Sequence, residues 1–183
     1  MGKLNYVTPH FRACRSLEMQ KNDTLYSEIT DDIAEHVNEI VAGKYQQAAL
    51  GTIDENGYPM VTKVIPMFHS EKIYLLLSDL SEHTKNLAKN NNSSIYFAEK
   101  EIHKIRSNNP RLTLQGTLKR MVLSKEDPKF QKLLKHYNKI EPGAKMWAMF
   151  VDFNFYVFYK KRQLFVEGFG KAFEAKHEET NTS

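Results

Sequence analysis

Residues 45–68, YQQAALGTIDENGYPMVTKVIPMF, decide the fold. Two apolar runs flank Asp54-Glu55-Asn56-Gly57, and Asn-Gly tolerates the positive φ of a tight hairpin turn. The chain just before them follows another rule. From Thr24 to Ala42, Leu25, Ile29, Ile33, Val37, Ile40 and Val41 recur at helical spacing until Gly43 stops the run. Further along, KIYLLLS (72–78) and SSIYFAE (93–99) read as strands. RLTLQGTLKRM (111–121) alternates, with Leu112, Leu114 and Leu118 on one side and Arg111, Thr113, Gln115, Thr117 and Lys119 on the other.

The last two strands are expected in MFVDFNFYVFYK (149–160) and QLFVEGFGKAF (163–173), joined by a short turn around Lys161 and Arg162. Between them and the earlier strands, Ser124 and Asp127 open a helix that carries Phe130, Leu133, Leu134 and Tyr137 on one face. Another helix grows from Ser81. The sum is about seven short strands, mostly hairpin-linked, with three helices. Such a chain favours a mainly β barrel with flanking helices, because closure leaves no open edge. We expect residues 1–22 to be a loosely ordered lead-in, 23–174 the barrel domain and 175–183 a flexible tail.

The penultimate strand is apolar on both faces: Phe150, Phe153, Phe155, Tyr156, Phe158 and Tyr159. Such a strand is covered on both sides. A second subunit is the cover we expect, since obligate interfaces resemble a core cut in half. A helix of the same chain is the other way to supply it.

With 183 residues the chain can bury a real core as one domain. No run approaches the ~18 consecutive apolar residues of a membrane span. The N-terminus lacks the apolar stretch of a secretory signal. One cysteine, Cys14, excludes an internal disulfide and a thiolate metal cluster. These features suggest a cytoplasmic protein. The net charge of +4 is mild, with no basic helix stripe. It suits a small anionic ligand better than nucleic acid.

Two stretches invite a ligand reading. In LSDLSEHTKNLAKNNNSSI (77–95) a strand runs straight into a helix whose first turns carry Ser81, His83, Thr84 and Asn86. Helix N-termini attract anions. The same residues also describe a capped helix with Ser81 at the N-cap, and Glu82 opposes an anion on the first turn. In VEGFGKAF (166–173), Gly168 and Gly170 weaken a strand unless a flat ligand, a barrel corner or a partner chain approaches the backbone. The seven histidines form no zinc spacing, and no nucleophile elbow, phosphate-cradling loop or dinucleotide fingerprint is present.

Taken together, DENGYP, KIYLLLSDLSEHTKNLAKN, RLTLQGTL and LFVEGFGKA resemble the FMN-binding split-barrel superfamily, whose best-known enzyme is pyridoxamine 5'-phosphate oxidase. Within it they are most similar to the HugZ/HutZ haem utilisation branch. The resemblance covers roughly residues 33–173. It implies a six-stranded antiparallel split barrel, a homodimer, and ligand sites at the subunit interface.

In flavin-binding relatives the turn at 81–83 is Ser-Arg-Lys and holds the FMN phosphate; here Ser81 matches, while Glu82 and His83 replace the cations. An FMN oxidoreductase would use Lys63, Ser81, His83 and Thr84, with Asn86 in the shared Ser-x-His-x-x-Asn stretch. The haem branch binds haem and degrades it to release iron. For that branch the resemblance implies His177 as iron ligand and Asp152 as a catalytic aid from the partner subunit. It implies Lys104, Arg106 and Arg111 for the propionates, and Gly168 and Gly170 beside the macrocycle. A dimeric binding module without catalysis is the third expectation, since fold alone does not set function.

Overall fold

The computed structural model describes residues 26–176. In chain order it contains β1 (Ser27–Glu28), α1 (Asp31–Ala42), β2 (Gln47–Ile53), β3 (Pro59–Val64), β4 (Met67–His69), β5 (Lys72–Ser78) and α2 (Glu82–Lys89). There follow β6 (Asn92–Ala98), a 3₁₀ turn (Arg106–Asn108), β7 (Arg111–Arg120), α3 (Pro128–Tyr137), α4 (Ala144–Trp147), β8 (Phe153–Gly168) and β9 (Lys171–Lys176).

The hairpin at 45–68 forms as its sequence predicts. The Asp54 carboxylate accepts the N–H groups of Asn56 at 2.9 Å and Tyr58 at 2.8 Å, and Gly57 sits at φ +86°. The expected second strand of this hairpin is cut in two at Ile65-Pro66, because Pro66 has no N–H for a ladder. The carbonyls freed by the break are not orphaned. Tyr45 donates to that of Pro66 at 2.8 Å and Tyr137 to that of Ile65 at 2.5 Å.

The sheet runs β3-β2-β6-β7-β8, then branches: β8 pairs with β5 through its first half and with β9 through its second. β4 pairs with β5, and the chain crosses from β3 to β4 without a strand pairing between those two, so the sheet stays open at that seam. This is a split barrel. The seven strands read from the sequence become nine among the described residues, because Pro66 divides one and β1 adds to β9 in parallel at Ser27↔Phe173; the resemblance implied six, all antiparallel. That pairing also corrects the helix start. The periodicity extends back to Leu25, yet α1 begins at Asp31 because residues 27–28 are claimed by the sheet.

The turn expected at Lys161 and Arg162 does not exist. β8 passes straight through it for 16 residues. The register with β7 slips by one residue there, Gln115↔Arg162 followed by Gly116↔Lys160, leaving Lys161 in a bulge. The true turn lies at Phe169-Gly170, where Gly170 takes φ +76°.

Two cores result. α1 plugs the barrel with Ile33, Val37, Ile40 and Val41 against Leu50, Leu75, Ile95, Phe97, Leu112 and Phe165. Outside the barrel, α3 lays Phe130, Leu133, Leu134 and Tyr137 on Leu76, Phe155 and Val157. The second cover of the Phe-rich strand is therefore a helix of the same chain, which corrects the expectation of a partner subunit there. α3 starts at Asp127, whose carboxylate accepts Lys129 N–H at 2.7 Å, with Pro128 at the first helical position.

Candidate functional site

The residues expected to bind a cofactor fall into three places. The first is a cavity of about 180 Å³ between the end of β3, β5, the start of α2, and Tyr137 and Trp147. It collects Lys63, Ser81 and His83, with Ser78 in its wall. Ser81 stands at the N-cap with extended backbone, but its hydroxyl makes no capping bond, contrary to expectation. Its carbonyl starts the helix by accepting the N–H groups of Thr84 and Lys85, both at 3.1 Å. The hydroxyl remains available to the cavity.

His83 is the informative residue. Nδ1 lies 3.1 Å from the Thr62 hydroxyl, and Nε2 is buried without a partner. Burial lowers its pKa below the ordinary 6.5, so the ring is neutral near pH 7. Nε2 of the neutral ring therefore has no partner within the protein, whichever ring nitrogen carries the proton. An orphaned buried polar atom is costly, so it calls for a polar group from a ligand. The objection raised by Glu82 falls away, because Glu82 is exposed, outside the cavity lining, and paired with Lys85 at 3.3 Å.

Because the folded-state pKa of His83 is depressed, its contribution to stability is fully present above the unfolded value of 6.5 and is lost as the pH falls from there through the lower folded-state pKa. Urea denaturation at pH 7 and pH 5 should show a loss at the lower pH that His83→Gln reduces; an equal loss in the variant would assign it to other groups.

Thr84 and Asn86 are engaged by the fold. The Thr84 hydroxyl reaches the carbonyls of Ser78 at 2.5 Å and Ser81 at 2.6 Å, fastening strand to helix. Buried Asn86 donates to the Thr52 hydroxyl at 3.2 Å, fastening helix to barrel. Asp152 stands behind the cavity wall, where its carboxylate accepts the Ser78 hydroxyl and its carbonyl accepts Asp79 N–H at 2.7 Å. Asp79 in turn takes Asn154 at 2.9 Å, Tyr156 at 3.1 Å and Arg120 at 3.1 Å. This network positions Ser78.

The second place is the far end of β7. Arg106 reaches Glu101 at 3.9 Å, and Arg111 donates to the Ser107 and Asn109 carbonyls, each at 3.3 Å. Buried Asn109 holds the loop carrying Lys104 through the N–H groups of Ile102 and His103, both at 2.9 Å. None of Lys104, Arg106 and Arg111 lines the cavity at α2. Gly168 and Gly170 do not share a strand face as expected: Gly168 ends β8 and Gly170 belongs to the turn. A Cβ at Gly168 would meet only ordinary contacts with Asn108 at 3.7 Å, so no tight approach requires that glycine.

The third place was not anticipated. A groove of about 440 Å³ crosses the outer face of β3, β2, β6, β7 and β8. Its floor follows the register Val61↔Gly51↔Ser94↔Gln115↔Arg162. A Cβ at Gly51 would stand 2.5 Å from Ser94 Oγ, and one at Gly116 would overlap the Tyr159 carbonyl. Ile53, Pro59 and Val61 give it apolar walls, and Lys161 and Arg162 lie at its β8 end, Arg162 paired with Glu174 at 2.5 Å. His177 lies outside the described residues. The residue before it, Lys176, pairs with Arg162 at this end of the groove. The signal for the floor was in the sequence, since Gly51 and Gly116 interrupt strands just as Gly168 does.

The model of the family described as CREG, beta-barrel matches residues 31–179. The chain belongs to the CREG beta-barrel family. Solved structures agree on the fold of this CREG-type barrel. A haem binding protein from Mycobacterium smegmatis has 23% identity over 75% of this chain, with TM-score 0.66; the match spans 55% of its own length. HutZ, the haem storage protein from Vibrio cholerae, has 19% identity over 69% of this chain and 89% of its own, with TM-score 0.60. A Clostridium acetobutylicum protein related to general stress protein 26, of the pyridoxinephosphate oxidase family, has 20% identity over 81% and 96%, with TM-score 0.61. No curated protein matches the sequence. No helix among the described residues is long and apolar enough to cross a membrane.

Proposed function

We propose that this CREG-type split barrel binds haem in the outer-face groove and works as a homodimer in haem utilisation, its activity being oxidative degradation that releases iron. The groove carries the reading. Haem needs a flat apolar slot, an axial ligand and cations for its propionates. Gly51 leaves the centre of the floor without a side chain, Ile53, Pro59 and Val61 are apolar, and Lys161 and Arg162 are cationic. His177 follows one residue after the end of β9 at the cationic end, and we assign it to the iron. Bound haem would itself supply the oxygen chemistry, while the protein supplies slot, ligand and charge. Two haem-linked proteins among the structural relatives support the choice of ligand.

Lys104, Arg106 and Arg111 keep a role in this reading only if a second subunit brings haem to them. Light scattering on the purified protein should give twice the chain mass.

The direct test is a haemin titration followed at the Soret band. We expect saturation at one haemin per subunit, and at least about tenfold weaker uptake in Val61→Glu. Val61 is 70% exposed, so the variant leaves the core alone. Diffuse adsorption that Val61→Glu leaves unchanged would remove the groove from the proposal.

A second reading has its own observation, the orphaned Nε2 of His83. Beside Lys63 and the Ser81 hydroxyl, it fits a phosphate oxygen, as an FMN oxidoreductase would require. Tight FMN uptake weakened by His83→Ala, with only diffuse haemin adsorption, would establish this reading over the first.

A further inference from the structure

Beneath α1, at the mouth of the barrel, lies another cavity of about 160 Å³ that shares no residue with the groove or with the cavity at α2. Val37 and Val41 of α1, Ile73, Leu114 and Phe158 form apolar walls, all of them buried. Two polar groups stand among them. Gln163 is only 5% exposed, and Lys160 Nζ donates to its Oε1 at 2.9 Å. No carboxylate among the described residues pairs with Lys160, and the Gln163 amide nitrogen has no hydrogen-bond partner there.

At the polar end of this cavity the Lys160 ammonium and the Gln163 amide N–H are donors, and exposed Asn38 completes the polar lining. Partial burial lowers the pKa of Lys160 from its ordinary value, and its hydrogen-bond partner, the Gln163 amide, carries no charge. An anionic oxygen would relieve both groups at once. Glu71 and Lys72, one acid and one base, stand at the rim and leave the local charge to Lys160. They are held there by a two-residue turn in which Ser70 and Glu71 both adopt positive φ, 49° and 58°. The apolar walls demand an alkyl chain. The volume equals about five waters at ~30 Å³ each, which is room for about four to six carbons.

We propose that this cavity is a binding site for a short-chain aliphatic carboxylate, its oxygens received by Lys160 and Gln163 and its chain by the valine and phenylalanine walls.

Calorimetric titration of the whole protein with sodium butyrate and sodium hexanoate tests it, with 1-butanol as the neutral probe. We expect the carboxylates to bind, butanol to bind at least about tenfold more weakly, and Lys160→Met to lose at least about tenfold in carboxylate affinity. Equal binding of butanol and butyrate, or an unchanged Lys160→Met, would overturn the proposal. A second readout does not depend on that variant folding. The Lys160 ε-methylene resonance of the wild-type protein should titrate at higher pH when butyrate saturates the site; an unmoved titration would equally overturn it. Haemin and FMN should leave both readouts unchanged, which separates this site from the cofactor sites.

Discussion

Gly116→Ala is expected to destabilise the protein by about 3 kcal/mol, the upper end for forcing atoms into a packed site. The new Cβ would overlap the Tyr159 carbonyl and approach Phe158 Cζ to 3.1 Å. Neither neighbour yields easily. The Tyr159 carbonyl is backbone in the middle of β8, beside the bulge that β7 imposes, and Phe158 is locked in the barrel core. For a chain of this size the loss corresponds to roughly 6–12 °C in Tm. Gly51→Ala is the matched control. Its Cβ would meet the Ser94 hydroxyl, a side-chain atom that can rotate away, so a loss below about 1 kcal/mol is expected. Gly51→Ala adds its methyl group to the groove floor, whereas the Gly116→Ala methyl points toward Phe158 in the barrel core. If the groove holds haem, Gly51→Ala should weaken haemin uptake with little change in Tm, while Gly116→Ala lowers Tm. Thermal melts and haemin titrations on the two proteins separate the structural role of the floor from its role toward the ligand. A Gly116→Ala protein as stable as wild type would contradict the tight β7–β8 approach.

His177→Ala is expected to have the largest effect on the haem complex. A histidine nitrogen bound to iron sets the position and sharpness of the Soret band. Its removal should leave a broad, shifted band and weaken haemin binding by more than about 100-fold, beyond the range seen when an outer partner of a metal ligand is lost. His103→Ala is the comparison. His103 sits in the loop at the far end of β7, remote from where β9 ends, and its N–H is engaged by Asn109. An unchanged spectrum in His177→Ala, or an equal change in His103→Ala, would withdraw the assignment. Added imidazole should restore a sharp Soret band in His177→Ala by supplying a free axial nitrogen ligand.

Local patterns in the chain account for much of the architecture. The hairpin at 54–57 was legible because Asp54, Asn56 and Gly57 act through their own neighbours' backbone. The apolar face of α3 and the alternation along β7 were legible for the same reason, and so was the class, a mainly β barrel with flanking helices. What misled was charge. Lys161 and Arg162 look like a turn, but Lys161 is an exposed bulge residue and Arg162 the next paired position of a strand that continues. The doubly apolar strand announced two covers without naming them, and α3 is one of them.

The candidate site divides along the same line. Lys63, Ser81 and His83 share a cavity. That Thr84 and Asn86 fasten the junction, and that Glu82 turns away, depends on side-chain directions that spacing does not specify.

By itself, then, the sequence determined the elements, their class and the residue types near the strand–helix junction, because periodicity, turn chemistry and capping act over a few residues. Only the tertiary structure decided that α3 covers β8, that Gly51 and Gly116 line one groove, that His83 keeps a buried ring nitrogen without a partner, and that Lys160 and Gln163 line one cavity. Each of these depends on strand register and on contacts between residues far apart in the chain. A shift of one residue in register would turn each strand's side chains to the opposite face.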